Sequence, residues 1–137
     1  HEFEDSDIVV MAAAVADAKP ANYSQEKITT SDFSSISLVE NPDIIATLTR
    51  KRDEKKPQFI IGFAAQTEKM IVEAGRNKLQ SKNLDLIYAN DVSGGAIFGS
   101  SETQGFIISD EEITEISRIS KESLAHILLS KAANKLG

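Results

Sequence analysis

The chain has 137 residues, of which 41% are hydrophobic and 26% are charged, as is ordinary for one globular domain covering residues 1–137. Its formal net charge of −6 argues against a nucleic-acid partner, and no basic stripe interleaved with aromatic residues is present. The absence of cysteine excludes disulfides, zinc–thiolate sites, iron–sulfur clusters and thiol nucleophiles, and it fits a reducing compartment.

The sequence predicts no membrane partner. Its longest apolar run, Ile8–Ala16, is about half the length of a membrane span. The first residues are acidic where a signal peptide would be basic. The chain also opens without Met and enters a strongly apolar segment almost at once, so we expect sequence upstream of it.

Three apolar runs predict buried strands, because buried parallel strands read as near-continuous hydrophobic segments. They are Ile8–Ala14, Phe59–Ala65 and Leu84–Tyr88. Small or polar residues follow each run, including Asp17 after the first and Asn90-Asp91 after the third. Open α/β sheets bind ligands beyond the carboxyl ends of their strands. The pattern therefore predicts a ligand site built from several strand ends.

Between the first two runs the sequence predicts an irregular segment over residues 17–35, a short strand over Ile36–Glu40 and a helix. Asn41 is the predicted N-cap, Pro42 the first helical residue, and Asp43 suits the positive end of the helix dipole. The predicted helix carries its apolar face on Ile44, Ile45, Ala46 and Leu48, and the mostly basic residues 50–56 close it.

The second half predicts a helix over Glu68–Lys82, capped by Thr67, before the third buried strand. Gly105–Ser109 and Ile113–Ile116 then predict an antiparallel hairpin, and Ser120 caps a final helix. The order of elements predicts an α/β fold with a mostly parallel sheet and a C-terminal antiparallel hairpin.

Several common catalytic motifs are missing. The chain has no GxGxxG, no GxxxxGK[ST] and no GxSxG sequence, so neither a dinucleotide fingerprint, a P-loop nor a nucleophile elbow is indicated. With only two histidines, a catalytic triad or a histidine-rich metal site is not indicated. His126 lies beside apolar helical positions and is interpreted as structural.

Lysines are the more informative charges, although each has two interpretations. Lys78 and Lys82 share one helix face, where they could interact with the helix dipole or reach a polyphosphate. Lys27 could be a solvated loop lysine or a phosphate ligand. The segment Asn41–Ile44 could be a plain cap, or its free N–H groups could hold an anion or a sugar hydroxyl.

Taken in order, six segments resemble the phosphopantothenoylcysteine synthetase family, and the similarity runs from about Asp7 to the final helix. Each segment alone is a weak signal, but six in register are specific. The segments are Ala12–Asp17, Glu26-Lys27-Ile28, Asn41–Ile45, Gly62–Thr67, Lys78–Asn83 and Ala89–Val92.

The resemblance implies a Rossmann-like three-layer fold and a ligase of coenzyme A biosynthesis. Family members activate 4′-phosphopantothenate with CTP and Mg²⁺, giving an acyl-cytidylate and pyrophosphate, and cysteine then displaces CMP. The resemblance makes Lys27 the catalytic residue but leaves the metal ligands unassigned. The implied nucleotide-binding residues are Ala13, Ala14, Asp17, Lys27, Asn41, Pro42, Asp43, Ile44, Phe63, Lys78 and Lys82.

The resemblance also implies a homodimer, a cytoplasmic location and, in many bacteria, a flavin decarboxylase fused to the ligase. Two departures stand out: Lys27 is followed by Ile28-Thr29-Thr30 instead of further lysines, and Gln66 replaces a usual Glu. The family's upstream half carries a Gly-rich turn and an essential Asn. We therefore expect this chain to lack that half and to be inactive alone.

Two other functions remain open at the level of sequence. One is a non-catalytic nucleotide-binding or regulatory domain on the same fold. The other is a remnant of a dinucleotide-binding dehydrogenase, against which the missing GxGxxG counts.

Overall fold

A computed structural model describes residues 2–22, 35–53, 55–66, 70–92 and 100–137 of the chain. Within these residues the backbone forms one five-stranded sheet, one two-stranded ribbon and four helices. The elements in chain order are α1 (Glu2–Asp5), β1 (Ile8–Met11), β2 (Ala18–Pro20), β3 (Leu38–Glu40), α2 (Ile44–Thr49), β4 (Phe59–Gln66), α3 (Ile71–Ser81), β5 (Leu86–Asp91), β6 (Glu102–Ile108), β7 (Ile113–Ser120) and α4 (Lys121–Leu136).

The main sheet has the strand order β1-β4-β5-β6-β7. Strands β1, β4 and β5 pair in parallel, with Ile8 opposite Phe59 and Ile61 opposite Leu86. Strand β6 runs antiparallel to β5 and forms a hairpin with β7, so β6 alone opposes the other four. The predicted mostly parallel sheet with a C-terminal hairpin is confirmed.

Helices cover both faces of the sheet. Alternate residues of β4 point to opposite faces, so that Ile60 packs in one core and Ile61 in the other. Helix α3 and Ile45 of α2 cover the first face, and α4 covers the second. The three-layer arrangement is therefore confirmed, and burial on both faces explains why β4 reads as a continuous apolar run.

The region between β1 and β4 differs most from the sequence prediction. Strand β1 ends at Met11 instead of Ala14, and residues 12–17 leave the sheet. The segment predicted to be irregular contains β2, which pairs antiparallel with β3 and forms the ribbon. A strand of three residues is too short to show an alternating pattern in the sequence. It is defined instead by pairing with residues 18 or more positions later in the chain, such as Pro20 with Leu38.

The start of α2 also differs from the prediction. The N-cap is Asp43, whose side chain accepts a hydrogen bond from the Ala46 amide at 3.0 Å, and not Asn41. Pro42 consequently lies before the helix, which ends at Thr49 instead of continuing through residues 50–56. Helix α3 begins at Ile71, and its predicted cap Thr67 lies outside the described residues. The predicted cap of α4 by Ser120 is confirmed.

An ion pair fixes the amino ends of β4 and β5. Arg52 donates to both carboxylate oxygens of Asp85, at 3.1 and 2.8 Å, and the Ile60 amide donates to the same carboxylate at 2.7 Å. Both side chains are largely shielded from solvent, with 22% and 27% exposure. In the part of the chain described, no helix is long and apolar enough to cross a membrane.

Candidate functional site

A pocket of about 490 Å³ lies on the α3 face of the sheet. Its walls are the ends of β1 and β4, the segment after β1, the start of α2 and the last turns of α3. The predicted residues that line it are Ala13, Ala14, Asp17, Asn41, Pro42, Asp43, Ile44, Phe63, Lys78 and Lys82. The predicted residue not placed here, Lys27, lies outside the described residues. The structure thus brings together every predicted residue that it describes.

A larger open cleft of about 910 Å³ lies elsewhere, between α3 and the β6–β7 hairpin. It includes Arg76 and Glu73 but none of the predicted residues. Volume alone does not define a functional site, whereas converging polar groups do. The smaller pocket is therefore the candidate site.

Asn41 joins two walls of the pocket. Its side-chain amide donates to the Ala16 carbonyl at 2.8 Å, and its backbone N–H donates to the Asp17 carbonyl at 2.8 Å. These bonds tie the segment after β1 to the chain entering α2. The Asn41 side chain is engaged in this way, and Asp43, two residues later, is the cap of α2.

The Asp43 carboxylate makes two separate interactions. One carboxylate oxygen accepts from the Ala46 amide at 3.0 Å, and the other accepts from the Lys82 ammonium at 3.1 Å. The Ala46 hydrogen bond and the Lys82 charge together hold the pKa of Asp43 below its usual value. Asp43 therefore carries its negative charge at neutral pH and links the start of α2 to the end of α3.

Lys78 lies one helical turn before Lys82 and lines the same pocket. No ion pair to Lys78 is found among the residues that the structure describes. Two lysines on one face therefore differ in state: Lys82 has a carboxylate partner and Lys78 is available to a ligand. The sequence spacing alone does not distinguish them.

The mouth of the pocket is formed at the carboxyl ends of β4 and β5. Phe63 is 37% exposed, and the centroid of its ring lies 6.0 Å from that of Tyr88 in an edge-to-face arrangement. The side-chain oxygen of Asn90 is buried at the pocket wall and has no hydrogen-bond partner among the described residues. The list drawn from the family resemblance omits Asn90, although its position at a strand end is a signal readable from the sequence.

Small residues keep the floor of the pocket open. A Cβ atom at Gly62 would lie 2.6 Å from a methyl carbon of Leu84, so a larger residue there would displace the side chain that lines the pocket. Within the described residues, no group of three or more His, Cys, Asp or Glu is placed to hold a metal ion. The carboxylates that line the pocket in the described part of the chain are Asp17 and Asp43.

Fold and pocket together define a Rossmann-like α/β domain with a polar ligand pocket at the ends of its parallel strands. Residues 1–136 match the model of the family described as the DNA/pantothenate metabolism flavoprotein C-terminal domain. The chain belongs to this family.

The similarity extends to curated proteins and solved structures. The coenzyme A biosynthesis bifunctional protein CoaBC of Vibrio vulnificus (strain YJ016) is 44% identical over 113 residues, which are 80% of this chain and 26% of that protein. A crystal structure of the C-terminal domain of CoaBC has a TM-score of 0.74 at 27% identity, covering 98% of this chain and 57% of that one. A structure of a Cab2 mutant in complex with phosphopantothenate-cysteine has a TM-score of 0.66 at 18% identity, covering 90% of this chain and 43% of that one, which shows likeness of fold alone.

The chain therefore spans about a quarter of the length of the curated relative and little more than half of the solved CoaBC domain.

Proposed function

We propose that the chain is part of a ligase of coenzyme A biosynthesis that joins 4′-phosphopantothenate to cysteine, with CTP as the activating nucleotide. The observation that carries the proposal is the convergence of the predicted residues on one pocket of about 490 Å³. Membership of the DNA/pantothenate metabolism flavoprotein C-terminal family and the 44% identity to a CoaBC protein support the same reaction class.

The proposed reaction needs no nucleophile from the protein. The substrate carboxylate attacks the α-phosphate of CTP, pyrophosphate leaves, and the cysteine amine then attacks the acyl carbon to release CMP. Positioning and charge stabilisation supply most of the catalysis in such a transfer. We assign Lys78 and Lys82 to the phosphates because both line the pocket, and Lys27 to the same role from the family resemblance.

Mg²⁺ accompanies CTP in this proposal. Mg²⁺ in nucleotide sites is commonly held by one or two carboxylates together with the substrate phosphates, so a cage of three protein ligands is not required. Asp17 is the residue that would hold the ion, because it lines the pocket and has no ion-pair partner among the described residues, whereas Asp43 is paired with Lys82. When bound, the ion would neutralise charge on the transferring phosphates.

A homodimer is the second element of the proposal, and the β2–β3 ribbon is its proposed interface. Isolated two-stranded ribbons are only marginally stable in water, yet this ribbon exposes apolar side chains. Leu38 and Val39 in β3 are 63% and 43% exposed, and Ile36 just before β3 is 57% exposed. Pairing between copies would cover these side chains and stabilise the ribbon.

A flavin decarboxylase, fused or separate, completes the proposed set of partners, since the curated CoaBC relative is named a bifunctional protein. The proposal also includes the cytoplasm as the location, because a chain without cysteine suits a reducing compartment.

Ligand-dependent thermal protection tests the nucleotide assignment. CTP with Mg²⁺ should stabilise the full-length protein encoded by this gene more than NAD does. A ligand at a hundredfold excess over its dissociation constant contributes about 2.7 kcal/mol, which a melting curve resolves. ATP measured in parallel tests the preference for CTP. Protection by NAD without protection by CTP would contradict the ligase and favour a dinucleotide-binding domain.

A further inference from the structure

The charges of the side chains that line the pocket sum to zero among the described residues. Among the described residues they are two ammonium groups, Lys78 and Lys82, and two carboxylates, Asp17 and Asp43. A polyphosphate carries several negative charges, so a pocket with no excess of cations is an unexpected place for it. The arrangement of the four groups, more than their number, determines how an anion would bind.

Within the part of the chain that the structure describes, one of the two lysines is engaged by a carboxylate. The Lys82 nitrogen lies 3.1 Å from a carboxylate oxygen of Asp43, and the two side chains are 34% and 44% exposed. The pair is therefore open to solvent and to a ligand in the pocket. An incoming phosphate oxygen would compete with Asp43 for the same ammonium group.

We propose that Asp43 is a positioning residue that holds Lys82 while the pocket is empty and yields it to a phosphate oxygen when a polyphosphate binds. The proposal rests on the proposed function only in taking the ligand to be a polyphosphate. The exchange replaces one acceptor of the Lys82 ammonium by another, and no bond is made or broken. Its consequence is a lowered affinity for pyrophosphate, which favours release of that product.

The geometry separates this role from helix capping. One oxygen of Asp43 accepts from the Ala46 amide, and an asparagine could keep that bond through its carbonyl oxygen. The other oxygen accepts from Lys82, and an amide nitrogen in that position could not accept a hydrogen bond. Asp43→Asn is therefore a substitution that retains the cap and removes the competitor for Lys82.

Binding of inorganic pyrophosphate without metal tests the exchange, measured by isothermal titration calorimetry on the full-length protein. Asp43→Asn should bind pyrophosphate about threefold to tenfold more tightly than the wild type, the size expected for one partly exposed charge pair. In a Lys82→Gln background, Asp43→Asn should change the affinity by less than twofold, because no lysine remains to be released.

Asp17→Asn is the matched control, since it removes the same unit of negative charge from the pocket without freeing Lys82. It should tighten binding less than Asp43→Asn does, and equally in both backgrounds. Unchanged or weaker binding by Asp43→Asn would overturn the proposal, as would equal tightening with and without Lys82. Absence of pyrophosphate binding by both the wild type and Asp43→Asn would also overturn it.

A second comparison keeps the proposal testable if Asp43→Asn does not fold. Lys78→Gln should weaken pyrophosphate binding more than Lys82→Gln does, because the Lys82 ammonium must give up its interaction with Asp43 when it binds pyrophosphate. The opposite order would contradict the proposal. If the wild type shows this binding pattern but does not turn over CTP, the ligase assignment is rejected, whereas the exchange of Lys82 between Asp43 and a phosphate is still supported.

Discussion

Two ion pairs of aspartate each have one residue in the short segment 82–85, yet their geometry differs. Asp85 accepts two hydrogen bonds from the Arg52 guanidinium and a third from the Ile60 amide, at the amino ends of β4 and β5. Only three residues earlier, Lys82 donates one bond to Asp43 at the pocket. Neither residue of the first pair lines the candidate site, whereas both residues of the second pair do.

The difference shows which pair belongs to the framework and which can exchange partners. A guanidinium fits a carboxylate through two parallel bonds and loses both if it moves, whereas an ammonium is a point charge that can turn to another acceptor. The backbone amide of Ile60 further fixes Asp85. We expect substitutions at the first pair to change stability and substitutions around the pocket to change ligand binding or rate.

The largest expected effect is on rate and concerns Lys27. In the full-length protein, Lys27→Gln should slow acyl-cytidylate formation by about 100- to 1000-fold, as loss of one preorganised charge-stabilising donor does, and should leave folding unchanged. Pyrophosphate release with 4′-phosphopantothenate and CTP, run without cysteine, isolates this step.

The control for Lys27 is Lys55→Gln in an exposed turn, which should release pyrophosphate at the wild-type rate. A Lys27 variant with the same rate as this control would identify Lys27 as a solvated loop lysine.

The next effect is on stability and concerns the framework pair. Asp85→Ala should lower the free energy of unfolding by about 2–3 kcal/mol, because it removes the acceptor of the Ile60 amide and leaves the Arg52 guanidinium with only its bond to the Asn83 carbonyl among the described residues. Urea denaturation followed by circular dichroism measures the loss. Asp110→Ala, at an exposed bend, should change stability by less than about 0.5 kcal/mol. Equal effects of the two substitutions would remove the distinction between framework and surface carboxylates.

A third effect concerns assembly. Leu38→Glu places a charge on the exposed ribbon and should weaken dimerisation by about tenfold or more, equivalent to about 1.4 kcal/mol. Sedimentation at micromolar concentration measures the dimer fraction, and Leu129→Glu on α4 is the matched control for an exposed leucine. A monomeric wild type, or a dimer insensitive to Leu38→Glu but sensitive to Leu129→Glu, would rule out the ribbon as the interface.

The smallest effect concerns acid stability at the pocket pair. The folded-state pKa of Asp43 is lowered, so its contribution to stability is present above the unfolded pKa of about 3.9 and is lost as pH falls through the folded value. Because the side chain is 44% exposed, the contribution is about 0.5 kcal/mol or less. The stability difference between wild type and Asp43→Asn should shrink as the pH falls from 5 toward 2. A difference that grows over this range would contradict the lowered pKa.

Much of the fold was readable from the sequence because it depends on local patterns. Two-sided burial makes β4 and β5 continuous apolar runs, and Ser120 precedes its helix in a typical capping position. Elements defined by distant partners were not readable. The strand Ala18–Pro20 exists through its pairing with Leu38–Glu40, and the four-residue helix Glu2–Asp5 is too short to show a period.

For the candidate site, likewise, some features could be predicted from the sequence and others could not. Its members were identified by resemblance, and the pocket contains every one that the structure describes. Their interactions could not be predicted, because Asn41 and Asp43 are both good caps and the Asn41 side chain instead bonds to Ala16, which is 25 residues away in the sequence. The pairing of Lys82 likewise involves a residue distant in the sequence, Asp43 at the start of α2.

The strand order has a consequence for how the protein reaches its native state. The hairpin joins Ile108 to Ile113 across a short turn, whereas β1 meets β4 through pairs such as Ile8 with Phe59. Loops that bring distant segments together close more slowly and cost more entropy than tight turns. We therefore expect the C-terminal hairpin to form early and the parallel pairing that creates the pocket to form late. A partly folded chain would then hold the C-terminal hairpin while it still lacked the pocket and could not bind a ligand.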